Sequence, residues 1–147
     1  MTLKELNPRI DIENNGKLYK SYAQFEKLIT ELETKELPEA IVNTINHNIE
    51  GLNSTSNSSK ELKKKISKSQ SLIINLIEKE LKLVPKNHYR NSWMAIGMAL
   101  GVPMGVVFGM SLGNLAFLGI GLPMGLAIGT KMDTKASEEG RQLDIEF

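Results

Sequence analysis

The sequence contains no cysteine, one tryptophan and only 5% aromatic residues. The lack of cysteine excludes disulfides and thiolate metal sites. The two histidines stand apart from any carboxylate pair at ligand spacing, so no metal or other cofactor is predicted. No group of residues supplies the base, nucleophile and orienting partner of an active site, so we expect the protein not to be an enzyme. The stretch Met1–Pro8 has no apolar region and is not expected to be a secretory signal.

Charge is also absent from a long part of the chain. Residues 93–130 form a run of 38 residues without Asp, Glu, Lys, Arg or His, and such a run is typical of a membrane span. One helix of this length would measure about 57 Å, whereas the hydrocarbon core is about 30 Å thick. Two helices joined by a turn fit better. Gly113 and Asn114 are the predicted turn, because both residues tolerate a left-handed backbone.

The charges that flank this run predict its orientation. Residues 51–90 hold 9 Lys/Arg against 3 Asp/Glu, which is +6, and the far flank opens with Lys131 and Lys135. Positive flanks stay cytoplasmic, so both termini are expected on the cytoplasmic side of a bacterial inner membrane crossed twice. Near the membrane surface, the predicted interface anchors are Tyr89, Arg90, Trp93 and Lys131.

Glycine is concentrated in the uncharged run, where nine of the twelve glycines lie. Most of them recur at every fourth residue and so form one side-chain-free stripe on a helix. In lipid, helices associate through close backbone approach along such stripes. The stripe is therefore predicted to serve helix packing and homo-oligomerisation through Gly97, Gly101, Gly105, Gly109, Gly113, Gly121, Gly125 and Gly129.

The run contains an internal repeat. Residues 101–109 (GVPMGVVFG) align with residues 121–129 (GLPMGLAIG), and five of nine positions are identical. Each copy carries a proline, Pro103 or Pro123, which predicts a mild kink in each arm. Together with residues 88–91 (HYRN), 111–114 (SLGN) and 142–146 (QLDIE), this pattern resembles the glycine-zipper family of small bacterial membrane proteins, most closely uncharacterised members from Bacteroidota. The resemblance covers the last 60 residues and implies membrane insertion and oligomerisation, sometimes pores, without catalytic residues.

Before the run, residues 17–84 show helical periodicity. Leu18, Tyr22, Phe25, Ile29 and Leu32 predict a first amphipathic helix, and a second begins at Pro38. A third is predicted from a capping box at Ser58 and Glu61 to Pro85. The narrow stripes favour a helical bundle or coiled coil, which offers a possible surface for a protein partner.

A lysine cluster lies in the third predicted helix. It could contact anionic lipid headgroups, while a solvated helix face explains it equally well. Nucleic acid is not expected as a partner, because no aromatic residue is interleaved for base stacking. The cluster consists of Lys60, Lys63, Lys64, Lys65 and Lys68.

The predicted fold class is therefore all-α, with amphipathic helices followed by a transmembrane glycine-zipper helical hairpin. The predicted segments are a weakly ordered N-terminus (1–16), a cytoplasmic helical region (17–90), the hairpin (91–131) and a polar tail (132–147). Two functions follow. The first is a self-associating membrane anchor that presents the cytoplasmic helices. The alternative is a pore-forming or membrane-permeabilising oligomer, similar to a toxin or secreted effector, which would need a polar stripe for water and ions.

Overall fold

The computed structural model describes residues 2–9, 12, 16–56, 59–112 and 119–147. The chain is mostly helical, which confirms the predicted all-α character. It forms two units, Met1–Leu83 and Val84–Glu146. The helices of the described residues are α1 (Gly16–Glu33), α2 (Glu39–Asn53), α3 (Ser59–Leu81), α4 (His88–Leu112) and α5 (Gly121–Glu138). Two short strands, β1 (Val84–Pro85) and β2 (Gln142–Leu143), complete the described secondary structure.

The first unit is a bundle in which α3 packs against both α1 and α2. Its apolar stripes face inward, and Phe25, Ile45 and Ile66 are fully buried among other aliphatic side chains. Each buried aliphatic or aromatic side chain contributes about 1.5–3 kcal/mol relative to exposure, which is why the stripe positions determine the packing. The predicted helical bundle is formed from the residues that the periodicity indicated.

The helix ends follow local chemistry. Pro38 is the N-cap of α2, where it makes no side-chain cap hydrogen bond. Helix α3 ends at Leu81, since Lys82 has a left-handed backbone (φ 59°) that stops the helix. Val84 was predicted to belong to the third helix; the structure instead places it, buried, in β1. Ser58 of the predicted capping box lies outside the described residues.

The second unit contains α4, α5 and the two strands, and its bounds differ from the predicted hairpin of 91–131. Helix α4 already begins at His88, and α5 runs beyond residue 131 to Glu138. The segment predicted as a polar tail therefore contributes a helix end and a strand that pairs with β1 in parallel. Leu143 and Ile145 in this segment are buried. Burial of these two apolar side chains explains why this segment packs within the second unit.

The two prolines of the repeat occupy different places. Pro103 lies inside α4, where it removes a helical hydrogen bond. Pro123 falls in the first turn of α5, where an N–H group would have no helical acceptor, so proline costs little there. The sequence repeat thus does not give two equivalent arms.

Within the described residues, one helix is long and apolar enough to cross a membrane, the segment His88–Ser111. Only 11% of its most apolar 18-residue stretch is buried. Helix α5 does not meet this criterion as described, because its 18 residues include four charged ones, Lys131, Asp133, Lys135 and Glu138.

Candidate functional site

Helices α4 and α5 touch through their backbones at glycines. A Cβ atom on Gly97 would lie 2.3 Å from the Gly121 carbonyl oxygen, and one on Gly101 would lie 2.6 Å from the Gly121 Cα atom. A Cβ atom on Gly125 would lie 2.2 Å from the Trp93 carbonyl oxygen. As the residue number increases along α4, the residue number of the contacting glycine on α5 decreases. The two helices therefore run antiparallel. We call these four glycines and Gly129 the glycine contact.

The contact extends to the first turn of α4. A Cβ atom on Gly129 would lie 2.5 Å from the Arg90 Cα atom and 2.6 Å from the Tyr89 carbonyl oxygen. Real Cβ atoms do not approach other atoms this closely, so glycine is required at each of these positions. The predicted helix-packing role of the stripe thus has a defined geometry within one chain.

The stripe contains three more glycines. Gly105 and Gly109 on α4 are buried. Gly113 and Asn114, the predicted turn, lie outside the described residues. Because the glycine contact is made between two helices of one chain, its five glycines are not free to join copies. Homo-oligomerisation through the stripe stays a prediction.

One polar residue, Asp133, lies on the same face of α5 as the glycines of the contact. Asp133 on α5 is buried, and its carboxylate accepts hydrogen bonds from the Tyr89 N–H (3.1 Å) and the Arg90 N–H (2.8 Å). These are the second and third residues of α4, the donors that an N-cap side chain satisfies. Asn87, which precedes α4, instead donates its side-chain amide to Glu146 at 2.6 Å. A carboxylate from α5 therefore caps α4.

Sequence reasoning missed Asp133, although a signal was present. The four-residue step that links Gly121, Gly125 and Gly129 leads next to position 133. A carboxylate on the small-residue face, one turn beyond the last glycine, points at the same partner helix. Taken alone, a single Asp among charged residues carries no such information.

The segment after α5 binds the segment before α4. The Val84 N–H donates to the Arg141 carbonyl (3.0 Å), and the Lys86 N–H donates to the Ile145 carbonyl (2.8 Å). Lys86 also forms an ion pair with Asp144, and Arg90 lies 3.7 Å from a Glu146 carboxylate oxygen. The entry and exit of the α4–α5 pair are therefore joined at one end, which we call the base.

Near the base, Arg141 and Glu139 form an ion pair. The hydrogen bond from Arg141 holds the pKa of the Glu139 carboxyl below its ordinary value. The same Glu139 bond raises the pKa of Arg141, and a hydrogen bond with Tyr89 adds to this effect. The carboxylate thus remains charged at pH values where an isolated Glu would begin to bind a proton.

We expect a small pH dependence from this pair. A depressed carboxyl pKa contributes stability that is present above the ordinary Glu pKa and is lost as the pH falls through the lower pKa of the folded state. Thermal unfolding of the intact chain and of Arg141→Gln, compared at pH 7 and pH 3, measures it. The difference between the two proteins should shrink at pH 3, and a difference that grows contradicts the assignment.

The predicted interface anchors lie on neighbouring turns. The backbones of Tyr89 and Arg90 bind Asp133, and Trp93 lies one turn further along α4, opposite Gly125. Lys131 is exposed on α5, two residues after Gly129. The fold therefore brings all four to the base half of the α4–α5 pair, although contact with lipid stays a prediction.

An apolar crevice of about 570 Å³ runs beside the glycine contact. Large side chains from both helices, including Trp93, Leu100, Phe108, Met124 and Ile128, line it together with the glycines. Among the described residues, the lining includes no charged side chain. Such a surface can hold apolar chains.

The predicted lipid-contacting lysines all lie on α3 in the first unit. Lys60, Lys63, Lys64, Lys65 and Lys68 are exposed, whereas Leu62 and Ile66 between them and Ser69 after them are buried. The cluster is thus the outer face of an amphipathic helix. Contact of this face with lipid stays a prediction.

The comparisons with known proteins give no family assignment. Neither protein-family models, nor curated protein sequences, nor solved structures match this chain. The resemblance to glycine-zipper membrane proteins therefore stays a prediction. Among the described residues, no group of three or more His, Asp or Glu side chains is placed to hold a metal ion.

Proposed function

We propose that this protein is a membrane anchor in which α4 and α5 form an inserted glycine-zipper hairpin, and the α1–α3 bundle is the part presented to the cytoplasm. The observation that carries the proposal is the exposure of α4. Leu100, Val107 and Met110 are 61%, 63% and 79% exposed. In water, each such side chain forgoes about 1.5–3 kcal/mol of burial, whereas in lipid this arrangement is favourable.

The inward face of the pair supports the same proposal. A soluble helical pair usually buries large apolar side chains between its helices, but here glycines meet and the large side chains point outward. This inverted pattern suits a lipid solvent, in which close backbone packing replaces hydrophobic burial as the source of helix association. The paired base, where Lys86 and Arg90 face acidic partners, would then lie at the cytoplasmic surface.

The anchor is favoured over the pore alternative. A pore requires polar groups along a lumen. The Ser111 hydroxyl donates to the Val107 carbonyl of its own helix at 2.8 Å, and the crevice beside the glycine contact is apolar. Self-association of the anchor and contact of its bundle with a protein partner remain predictions, and both would use surfaces other than the glycine contact.

Replacing Leu100 by Lys tests insertion directly. A lysine at the centre of a span costs about 2.5–3.5 kcal/mol, which corresponds to roughly a hundredfold loss in membrane partitioning. Alkaline extraction of bacterial membranes carrying the full chain should leave the unmodified protein in the membrane and release Leu100→Lys.

The matched control is Leu72→Lys on α3, the same change at a residue that is 41% exposed. It should remain in the membrane like the unmodified chain. If the unmodified chain is extracted into the aqueous fraction, or if Leu100→Lys is retained as fully as Leu72→Lys, the proposed insertion of α4 is wrong.

A further inference from the structure

An extended N-terminal segment lies along α2 in the first unit, although residues 1–16 were predicted to be weakly ordered. Two asparagines seven residues apart hold it. Asn46 accepts a hydrogen bond from the Lys4 N–H (2.7 Å) and donates to the Thr2 carbonyl (3.2 Å). Asn53 repeats this pattern with the Asn7 N–H (3.0 Å) and the Glu5 carbonyl (3.0 Å). Each amide thus binds the backbone on both sides of one leucine, Leu3 or Leu6.

The spacing of helix and segment matches. Seven residues of an α-helix rise about 10 Å, and three residues of an extended or polyproline chain rise about 9–10 Å. In the polyproline conformation, which has three residues per turn, side chains three residues apart point to the same side. Leu3, Leu6 and Arg9 are the half-buried residues of the segment, and the others are exposed. This is the geometry by which a helical surface binds a peptide through its backbone.

Two further contacts fix the direction in which the segment runs along α2. The Arg9 guanidinium donates to the Leu52 and Thr55 carbonyls at the end of α2 (2.7 and 2.8 Å), where the helix dipole favours a cation. Lys4 forms an ion pair with Glu50, between the two asparagines. We call Asn46, Glu50, Asn53 and the C-terminal carbonyls of α2 the asparagine face.

We propose that residues 2–9 are a detachable arm and that the asparagine face is a peptide-binding site, which the arm of a second copy occupies by exchange. The bonds that Asn46, Asn53 and Glu50 make with the arm are exposed to solvent, whereas the Arg9 bonds and the hydrogen bond from the Tyr22 hydroxyl to the Asn7 carbonyl (2.7 Å) are half-buried. Leu3 and Leu6 are only half-buried, so detachment of the arm is a local opening that leaves the bundle core in place. Every copy carries the required leucine spacing, Lys4 and Arg9, so a second copy is the matched occupant. The proposal does not rest on membrane insertion.

Disulfide trapping between two full-length chains tests the exchange. The chain has no native cysteine, so Lys4→Cys in one chain and Glu50→Cys in another can react only with each other or with their own kind. Oxidation of the mixed chains should give a 4–50 heterodimer. A single chain with both cysteines reports the arm bound to its own bundle.

The asparagines provide the specificity control. Asn46→Ala with Asn53→Ala in the Glu50→Cys chain should lower heterodimer yield about tenfold, since several backbone hydrogen bonds are lost. Asn48→Ala is the matched control, because its amide donates only to the Thr44 carbonyl of its own helix (2.8 Å), and it should leave the yield unchanged. Circular dichroism confirms that each variant keeps its helices.

The other outcomes overturn the proposal. If the double-cysteine chain crosslinks internally while mixed chains give no heterodimer, the arm does not exchange, and the face serves its own chain or another protein. A heterodimer that persists when both asparagines are replaced reflects random collision. If even the double-cysteine chain fails to crosslink, the arm does not occupy the asparagine face.

Discussion

Replacing Gly125 by alanine should separate α4 from α5. The new Cβ atom would lie 2.2 Å from the Trp93 carbonyl oxygen and 3.3 Å from the Gly97 Cα atom. Both obstacles are backbone atoms, which cannot rotate away as a side chain can. The helices must therefore move apart by about 1 Å, and overpacking of this kind costs about 3 kcal/mol.

The sequence supplies its own reporter for this change. Trp93 is the only tryptophan, and it lies at the contact. Unfolding of the detergent-solubilised protein, followed by tryptophan fluorescence, should show a loss of about 3 kcal/mol for Gly125→Ala. Gly97→Ala and Gly121→Ala should behave alike, because each Cβ atom meets a carbonyl oxygen of the other helix at 2.3 Å.

Gly119→Ala is the matched control, since nothing lies within 4 Å of its Cβ position. We expect little change in its stability. Equal stability of Gly125→Ala and Gly119→Ala would disprove the close α4–α5 approach. This result would also remove the support that the glycine contact gives to an inserted hairpin, while the exposure of α4 would still stand.

The second large effect is expected at Asp133. Replacement by alanine removes both acceptors from the Tyr89 and Arg90 amides, and the loss of an N-cap costs about 1–2 kcal/mol. Asp133→Asn keeps one carbonyl oxygen and should lose less. The consequence appears in α4 although the substitution is in α5, because the cap crosses between helices.

Amide hydrogen exchange localises this effect. In Asp133→Ala the Tyr89 and Arg90 amides should exchange about ten times faster, corresponding to about 1.4 kcal/mol of local stability. Thr134→Ala removes only the hydroxyl that donates to the Thr130 carbonyl of the same helix (3.0 Å), so it should leave those amides protected. Unchanged exchange in Asp133→Ala means that the carboxylate does not cap α4.

The glycine contact explains why glycines recur at every fourth residue, but it assigns them to packing within one chain and not between copies. Period-four glycines indicate close backbone packing with some helix, yet the pattern is the same whether the partner helix belongs to the same chain or to another. In this structure the partner of Gly97 is Gly121 in the same chain. For this reason we propose that the stripe closes the α4–α5 pair, and we assign any contact between copies to other surfaces.

The contacts of the asparagine face could not be predicted from the sequence. Asn46 and Asn53 lie beside the apolar stripe of α2, and in sequence they look like ordinary polar residues of an amphipathic helix. Their role appears only when an extended segment lies across them. Polar contacts between segments more than 40 residues apart in the sequence leave no periodic pattern, because neither segment needs one residue type to recur at a fixed spacing.

By itself, the sequence determined the local structure: where apolar residues recur at helical spacing, where proline and polar residues end a helix, and where charge is absent. Helices α1–α3 followed from these patterns because side-chain burial dictates the period within a single helix. Only the tertiary structure decided that Asp133 caps α4, that Val84 belongs to a strand paired with Gln142, and that residues 2–9 bind α2. Each of these rests on hydrogen bonds between distant segments, and such bonds depend on which backbones the fold brings within 3 Å.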